Sequence, residues 1–413
     1  MSSTLITNIK QLVNVRPESP LLRGKQLADL PCVENAYLTI EDGIISGFGP
    51  MSALKSQSSN LKDQIDASHQ FVLPGWCDSH THLVFAGSRE SEFVDKLKGM
   101  TYPEIAAKGG GILNSARKLN ETSEDELFNQ AWKRLEEVSS LGTGAIEIKS
   151  GYGLTVEGEM KMLRVIKRLK EKSGLLIRST FLGAHTYPLE YKDAHQGYID
   201  LLINEMLPRI AREKLADYID VFCENGFFSP AETETICKAG LQFGLKPKIH
   251  ANQLSLSGGT QLGVKLGAIS VDHLETMDQD AILTLAHSRT IGTLLPTAAF
   301  FLRMPFQPAR KMIDSGCAIA LASDYNPGSS PSGNMNLVVA MACIGMKMVP
   351  AEAINSATLN GAHAMELGNQ AGSITIGKRA NLIFTKPIPS LSYLPYAFGS
   401  NLIDKVMING KMI

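Results

Sequence analysis

Two histidines one residue apart, His80 and His82, stand in "GWCDSHTHLVFAGSRE" (residues 75–90), after an apolar run and seven positions before Arg89. In an extended segment, residues two apart point to the same face. Two imidazoles beside an apolar core are costly to bury unless they share a partner. Further along, His250 ends "LKPKIH", His273 ends "AISVDH" and Asp324 ends "CAIALASD". Three neutral imidazoles and a carboxylate (His80, His82, His250, Asp324) suit zinc, and would also accept iron, cobalt or manganese. A divalent ion held there can bring the pKa of water to about 7 and supply a nucleophile at neutral pH. His273 stands where it could touch that water or polarise a substrate carbonyl. Each residue alone also reads as a hydrogen-bonded core residue; their joint occurrence at strand ends carries the metal reading.

The elements that must position them are short strands alternating with helical stretches. Apolar runs lead in turn to His80 and His82, Lys149, His185, Glu224, His250, His273, Leu295 and Asp324. Helix-like segments such as "VEGEMKMLRVIKRLKEKSG" and "AETETICKAGLQFG" lie between them. Eight strand candidates with helical crossovers predict an α/β fold, a (β/α)8 TIM-like barrel over residues 71–364, with polar strand ends gathered on the C-terminal face. A doubly wound sheet is the second choice, but no GxGxxG follows a strand. Both termini read as β: "AYLTIEDGIISGFGP" with a turn at "EDG", and "DKVMINGKMI" with a hairpin signal at "NG". Neither end holds enough strands for an independent unit. Residues 1–70 plus 365–413 are therefore expected to form one small composite β-sandwich domain.

With 40 basic and 41 acidic residues in 413, charge gives no case for nucleic acid. No apolar stretch reaches the roughly 18 residues of a membrane span, and the N-terminal "MSSTLITNIKQLVNV" lacks a signal-peptide pattern. The six cysteines form no CxxC pair and read as reduced thiols in a cytoplasmic protein.

The segments "LPGWCDSHTHLVFAGSRESEF", "EIKSGYGL", "FLGAH", "IHANQLS", "VDHLE" and "ALASDYNPGSSP" carry a resemblance covering nearly the whole chain. The sequence resembles the metal-dependent amidohydrolases, and among them the branch that opens the ring of 4-imidazolone-5-propanoate to N-formimidoyl-L-glutamate. The HxH marks the superfamily, whereas "HTHLVFAGSR", "KSGYGL" and "DYNPGSSP" together are more specific. The resemblance implies one divalent or trivalent metal ion, zinc first and iron second, with Asp324 and His273 doing the proton work. It also implies a homodimer. Arg89, otherwise a solvated arginine beside Glu90 or Glu92, becomes a clamp for the substrate's propanoate. Tyr152 and His185 match substrate contacts, and Gln253 falls where the family carries Glu or Gln over the ring. A Gln amide donates and accepts hydrogen bonds there but cannot act as a base. Asn326, Gly328 and Ser329 match a carboxylate-binding loop with backbone N–H groups near glycine, or else a plain Asn-Pro-Gly turn.

Lys149 could suggest a carboxylated lysine bridging two metals, but it lies on the second strand where such relatives use the fourth. One metal is therefore expected, with Glu224 structural. The glycines 109–111 read either as a mobile lid or as a sharp turn. A guanine or cytosine deaminase with the same ligands, and a non-catalytic scaffold of the same fold, remain the alternatives.

Overall fold

The structure, a computed structural model, describes residues 3–54, 63–100, 104 and 110–413. Gly109 lies outside the described residues. Gly111 takes a positive φ of 82° and forms the N-cap of helix Ile112–Glu121, which fits the sharp-turn reading at that position.

The termini build one sheet of eight strands, among them Ser3–Val13, Cys32–Glu41, Ile44–Pro50, Leu382–Thr385 and Ile403–Ile408. "EDG" and "NG" both form turns with positive φ at two successive residues, Asp42 and Gly43, then Asn409 and Gly410. That is the hairpin geometry matching strand twist. The two turns touch, since a Cβ on Gly43 would lie 2.6 Å from the Asn409 carbonyl oxygen. The Ala380 N–H also donates to the Gly43 oxygen at 2.8 Å, so the hydrogen-bonded sheet folds back on itself. Ile6, Ile9, Leu38, Val72, Leu382, Phe384 and Met407 fill its core.

The expectation that the barrel opens at residue 71 is corrected by strand pairing. Phe71–Pro74 runs parallel to Ser3–Val13 and antiparallel to Leu382–Thr385. The first barrel strand is Trp76–Asp78. The N-terminal portion likewise does not keep to the terminal sheet. Its 3-10 turn Gly24–Ala28 packs on helix Pro350–Ala357, where the Asn355 amide donates to the Leu27 and Asp29 oxygens at 2.9 and 2.7 Å.

The barrel strands follow as Thr143–Lys149, Leu176–Ala184, Tyr218–Cys223, Lys246–Ala251, Ser270–His273, Ile291–Leu294 and Ile319–Leu321. Each pairs in parallel with its sequence neighbour. Every residue of Thr143–Lys149 is buried, as expected for a strand covered on both faces. Beyond the regular strands, the Asp324 N–H donates to the His80 oxygen at 3.0 Å and the His82 N–H to the Tyr325 oxygen at 2.9 Å. The Asp78 carboxylate accepts the Ser323 N–H at 3.0 Å and its hydroxyl at 2.5 Å. These bonds join first strand to last and close the cylinder.

Candidate active site

His80, His82, His250 and Asp324, drawn from the first, fifth and eighth strand ends, meet inside the barrel rim. The Asp324 Oδ1 lies 3.6 Å from His80 Nε2 and 3.5 Å from His82 Nε2, and His250 Nε2 is 3.5 Å from His82 Nε2. A tetrahedral ion with bonds near 2.1 Å has ligand–ligand edges of ~3.4 Å, so the spacing fits. The donor chemistry fits as well. His80 Nδ1 is 2.6 Å from Asp272 Oδ2 and His250 Nδ1 is 3.1 Å from Asp220 Oδ1. These carboxylates hold the protons on Nδ1 and leave the Nε2 lone pairs free. His80 Nε2 is buried with no hydrogen-bond partner among the described residues. Burial holds both His80 and His82 well below the ordinary histidine pKa, in the neutral form a ligand needs.

Asp324 sits at φ 51°, a left-handed conformation that Asp tolerates better than most residues, and its Oδ2 accepts the Ser329 hydroxyl at 3.2 Å. His273 faces the same cluster, and one donor atom from each of His80, His273 and Asp324 lies within 4.8 Å of the others. Burial alone would lower its pKa, but the Glu275 carboxylate, 3.5 Å from Nδ1, outweighs that and the net shift is upward. Gln307 in turn donates to Glu275 at 2.9 Å.

Beneath the cluster lies a fully buried ionic layer. Lys149 Nζ donates to Glu147 at 2.6 Å and Asp220 at 2.8 Å, with Asp272 at 3.7 Å. Lys248 bonds the other Glu147 oxygen and the Ser79 carbonyl. Lys149 is thus an ammonium among carboxylates, held above the ordinary lysine range by Asp220 and Glu147 despite the opposing effect of burial. It is linked to the histidines through Asp220, which holds His250 Nδ1, and Asp272, which holds His80 Nδ1. Glu224 is structural: its carboxylate accepts the Leu254 N–H at 2.9 Å and the Asn225 N–H at 2.9 Å, fixing the loop that bears Gln253.

Above the cluster opens a cavity of about 410 Å³ lined by Arg89, Tyr152, His185, Gln253, Asn326, Gly328 and Ser329 together with His82, His250, His273 and Asp324. Phe222, Phe227 and Lys96 also line it, residues that the sequence analysis did not single out. The Arg89 Nε donates to Ser115 Oγ at 2.8 Å, while its Nη2 is buried with no partner among the described residues. His185 Nδ1 lies 3.1 Å from the Gly151 oxygen, which directs Nε2 away from that carbonyl, and burial followed by His250 pushes its pKa down to about 3.

Residues 326–329 carry both features read from their sequence: the backbone N–H groups of Gly328 and Ser329 donate to Asn326 Oδ1 at 2.8 Å, as in a turn, and Asn326, Gly328 and Ser329 all line the cavity. Asn326 therefore acts on its own loop, and the Ser329 hydroxyl is turned to Asp324. Gly328 matters for another reason: a Cβ there would lie 2.5 Å from Arg89 Nη1. Gly328→Ala should displace the guanidinium and raise KM about tenfold, roughly 1.4 kcal/mol, with little change in melting temperature. An unchanged KM would show that Arg89 does not depend on this clearance.

A (β/α)8 barrel with a histidine-aspartate cluster at its C-terminal rim and a β-rich companion unit defines an amidohydrolase. Residues 244–413 match the model of the amidohydrolase family. The guanine deaminase of C. acetobutylicum, solved with bound guanine, superposes with a TM-score of 0.73 at 16% identity, covering 100% of both chains. A triazine hydrolase variant superposes at 0.76 and 14%, covering 99% of this chain and 94% of its own. The imidazolonepropionase of Flavobacterium johnsoniae is 59% identical over 99% of this chain and 100% of its own length. That of Thermoanaerobacter pseudethanolicus is 41% identical over 98% and 96%. The chain belongs to the imidazolonepropionase family.

Proposed function

We propose that this cavity houses the chain's reaction, hydrolysis of the cyclic amide of 4-imidazolone-5-propanoate to N-formimidoyl-L-glutamate in histidine degradation. Water gives its oxygen to the ring carbonyl carbon, the carbon–nitrogen bond breaks, and the nitrogen leaves with a proton. His80, His82, His250 and Asp324 would hold one ion, zinc in our reading with iron as the alternative. When bound, such an ion supplies a Lewis acid that makes water nucleophilic near neutral pH. The Asp324 carboxylate takes the proton at Oδ2, the oxygen Ser329 addresses. His273, steadied through Glu275 and Gln307, holds a proton toward the carbonyl oxygen as charge develops there. Gln253 lies over the ring, where its amide orients substrate. Tyr152 and His185 pack against the ring, and Phe222 keeps water from that side.

One observation carries this reading: the four donor atoms and the unpartnered Arg89 guanidinium nitrogen belong to residues lining, or directly beneath, the same cavity. A half-buried guanidinium with one buried, unpartnered nitrogen favours a substrate with a propanoate tail over a neutral nucleobase. The test is product analysis with enzymatically generated substrate on wild type and Arg89→Met. Loss of a charge-assisted bidentate contact is worth about 2–3 kcal/mol, so KM should rise on the order of a hundredfold, while an imidazolone lacking the propanoate should respond little. Equal effects on both substrates would refute the clamp. We also propose a cytoplasmic homodimer. Phe300, Ile344 and Tyr396, on helices that pack side by side, are 61, 64 and 77% exposed, and light scattering of the purified chain tests the dimer.

A further inference from the structure

Glu159 is fully buried, takes no part in the histidine-aspartate cluster, and is not used by the reaction as described above. It stands near the start of helix Val156–Ser173, whose N-cap is Thr155. Its carboxylate reaches back over the helix end to the preceding loop. Oε2 accepts the Gly151 N–H at 3.1 Å; Oε1 accepts the N–H groups of Gly153 at 2.7 Å and Leu154 at 3.0 Å. We propose that Glu159 is a positioning residue that presents Tyr152 and His185 to the substrate through this loop, an inference resting on the ring-opening function above.

The loop cannot hold its shape through regular secondary structure. Gly151 has φ 112° and Leu154 φ 53°, the latter an unfavourable conformation for a residue with a side chain. Backbone in such regions persists only where its surroundings over-determine it, and one carboxylate binds three of its four N–H groups, those on either side of Tyr152. Tyr152 is the residue between them. Its ring centroid lies 5.8 Å from that of His82 and 5.5 Å from that of His185, and the Arg89 guanidinium is 5.9 Å from it. The carbonyl of Gly151 holds His185 by Nδ1, and His185 lies nearly parallel to His82 at 5.2 Å and 17°. Both contacts on that wall of the cavity therefore depend on where residues 151–154 sit. From the opposite side Asn120 Nδ2 donates to the Gly153 oxygen at 2.9 Å, so the loop is clamped between two side chains.

Glu159→Gln is an informative change because it keeps size and shape. A carboxamide oxygen can still accept from Gly153 and Leu154, but its NH2 then faces the Gly151 N–H, donor against donor. The end of the loop that anchors His185 is released. In metal-loaded enzyme, KM should rise at least fivefold with kcat changed less than threefold. In protein labelled with 15N-histidine, the His185 Nδ1–H resonance should broaden or shift through loss of its carbonyl partner. A purely structural role would instead lower the active fraction, and with it kcat, at constant KM. That result, or an unchanged His185 resonance, would overturn the proposal. Should Glu159→Gln fail to fold, Asn120→Ala decides by the same two readouts, with smaller shifts expected in the same direction. Wild-type enzyme that does not open the ring would sink the functional reading, while the His185 resonance would still report on Glu159.

Discussion

Asp324→Ala is expected to lower ring hydrolysis by on the order of a thousandfold or more and to leave the purified chain with well under one equivalent of bound metal. Asp324 supplies the only carboxylate oxygen in the quartet, 3.5 Å from His82 Nε2 and 3.6 Å from His80 Nε2. Metal-ion catalysis contributes several kcal/mol of charge stabilisation, and each 1.36 kcal/mol is tenfold in rate. Removing Asp324 also strips the Ser329 hydroxyl of its acceptor. Turnover and elemental analysis on the same preparation check both halves. Retained metal with lost activity would assign Asp324 to proton transfer alone. Retained activity would defeat the assignment of the quartet.

The second large effect concerns stability. Lys149→Met should lower the unfolding free energy by about 3–5 kcal/mol, the cost of breaking a buried ion pair on one side only. Glu147, Asp220 and Asp272 would then face Lys248 alone, all with side chains fully excluded from solvent. Since whole domains are stable by only about 5–15 kcal/mol, the variant should melt several degrees lower in scanning calorimetry. Its metal content should fall as well, because Asp272 and Asp220 are the residues that hold His80 Nδ1 and His250 Nδ1. A melting curve identical to wild type would mean the layer does not depend on the Lys149 ammonium.

The barrel was legible because its strands are apolar runs that, except for the one reaching Leu295, lead to a polar residue. Lys149 and His273 are themselves last residues of strands, and His185 and Glu224 directly follow the ends of theirs. Phe71–Pro74 misled because it is as apolar as a barrel strand, and only its pairing partners, Gln11, Leu12 and Leu382 among them, assign it elsewhere. The ionic layer was only half visible. Glu147 with Lys149, and Lys248 with His250, repeat every second residue along apolar strands, a sign of charges turned into the barrel. Which charge meets which is fixed by neighbours far away in sequence: Lys149 and Asp220 are 71 residues apart, and His80 and Asp272 are 192 apart. Residues 326–329 leave two readings open for a local reason. A glycine-rich turn offers the same N–H groups whether they serve a ligand or the asparagine two residues back, and type and spacing do not separate the two.

The cylinder closes through peptide groups of the very residues that make up its chemistry, with Asp324 bound to His80 and Tyr325 bound to His82. A growing chain therefore carries His80 and His82 for most of the time it spends on the ribosome without owning the complete binding centre. That centre comes into being only after residues 324 and 325 have been made and docked beside residues 80 and 82. A product that stops before residue 324 lacks the one carboxylate among the four donors.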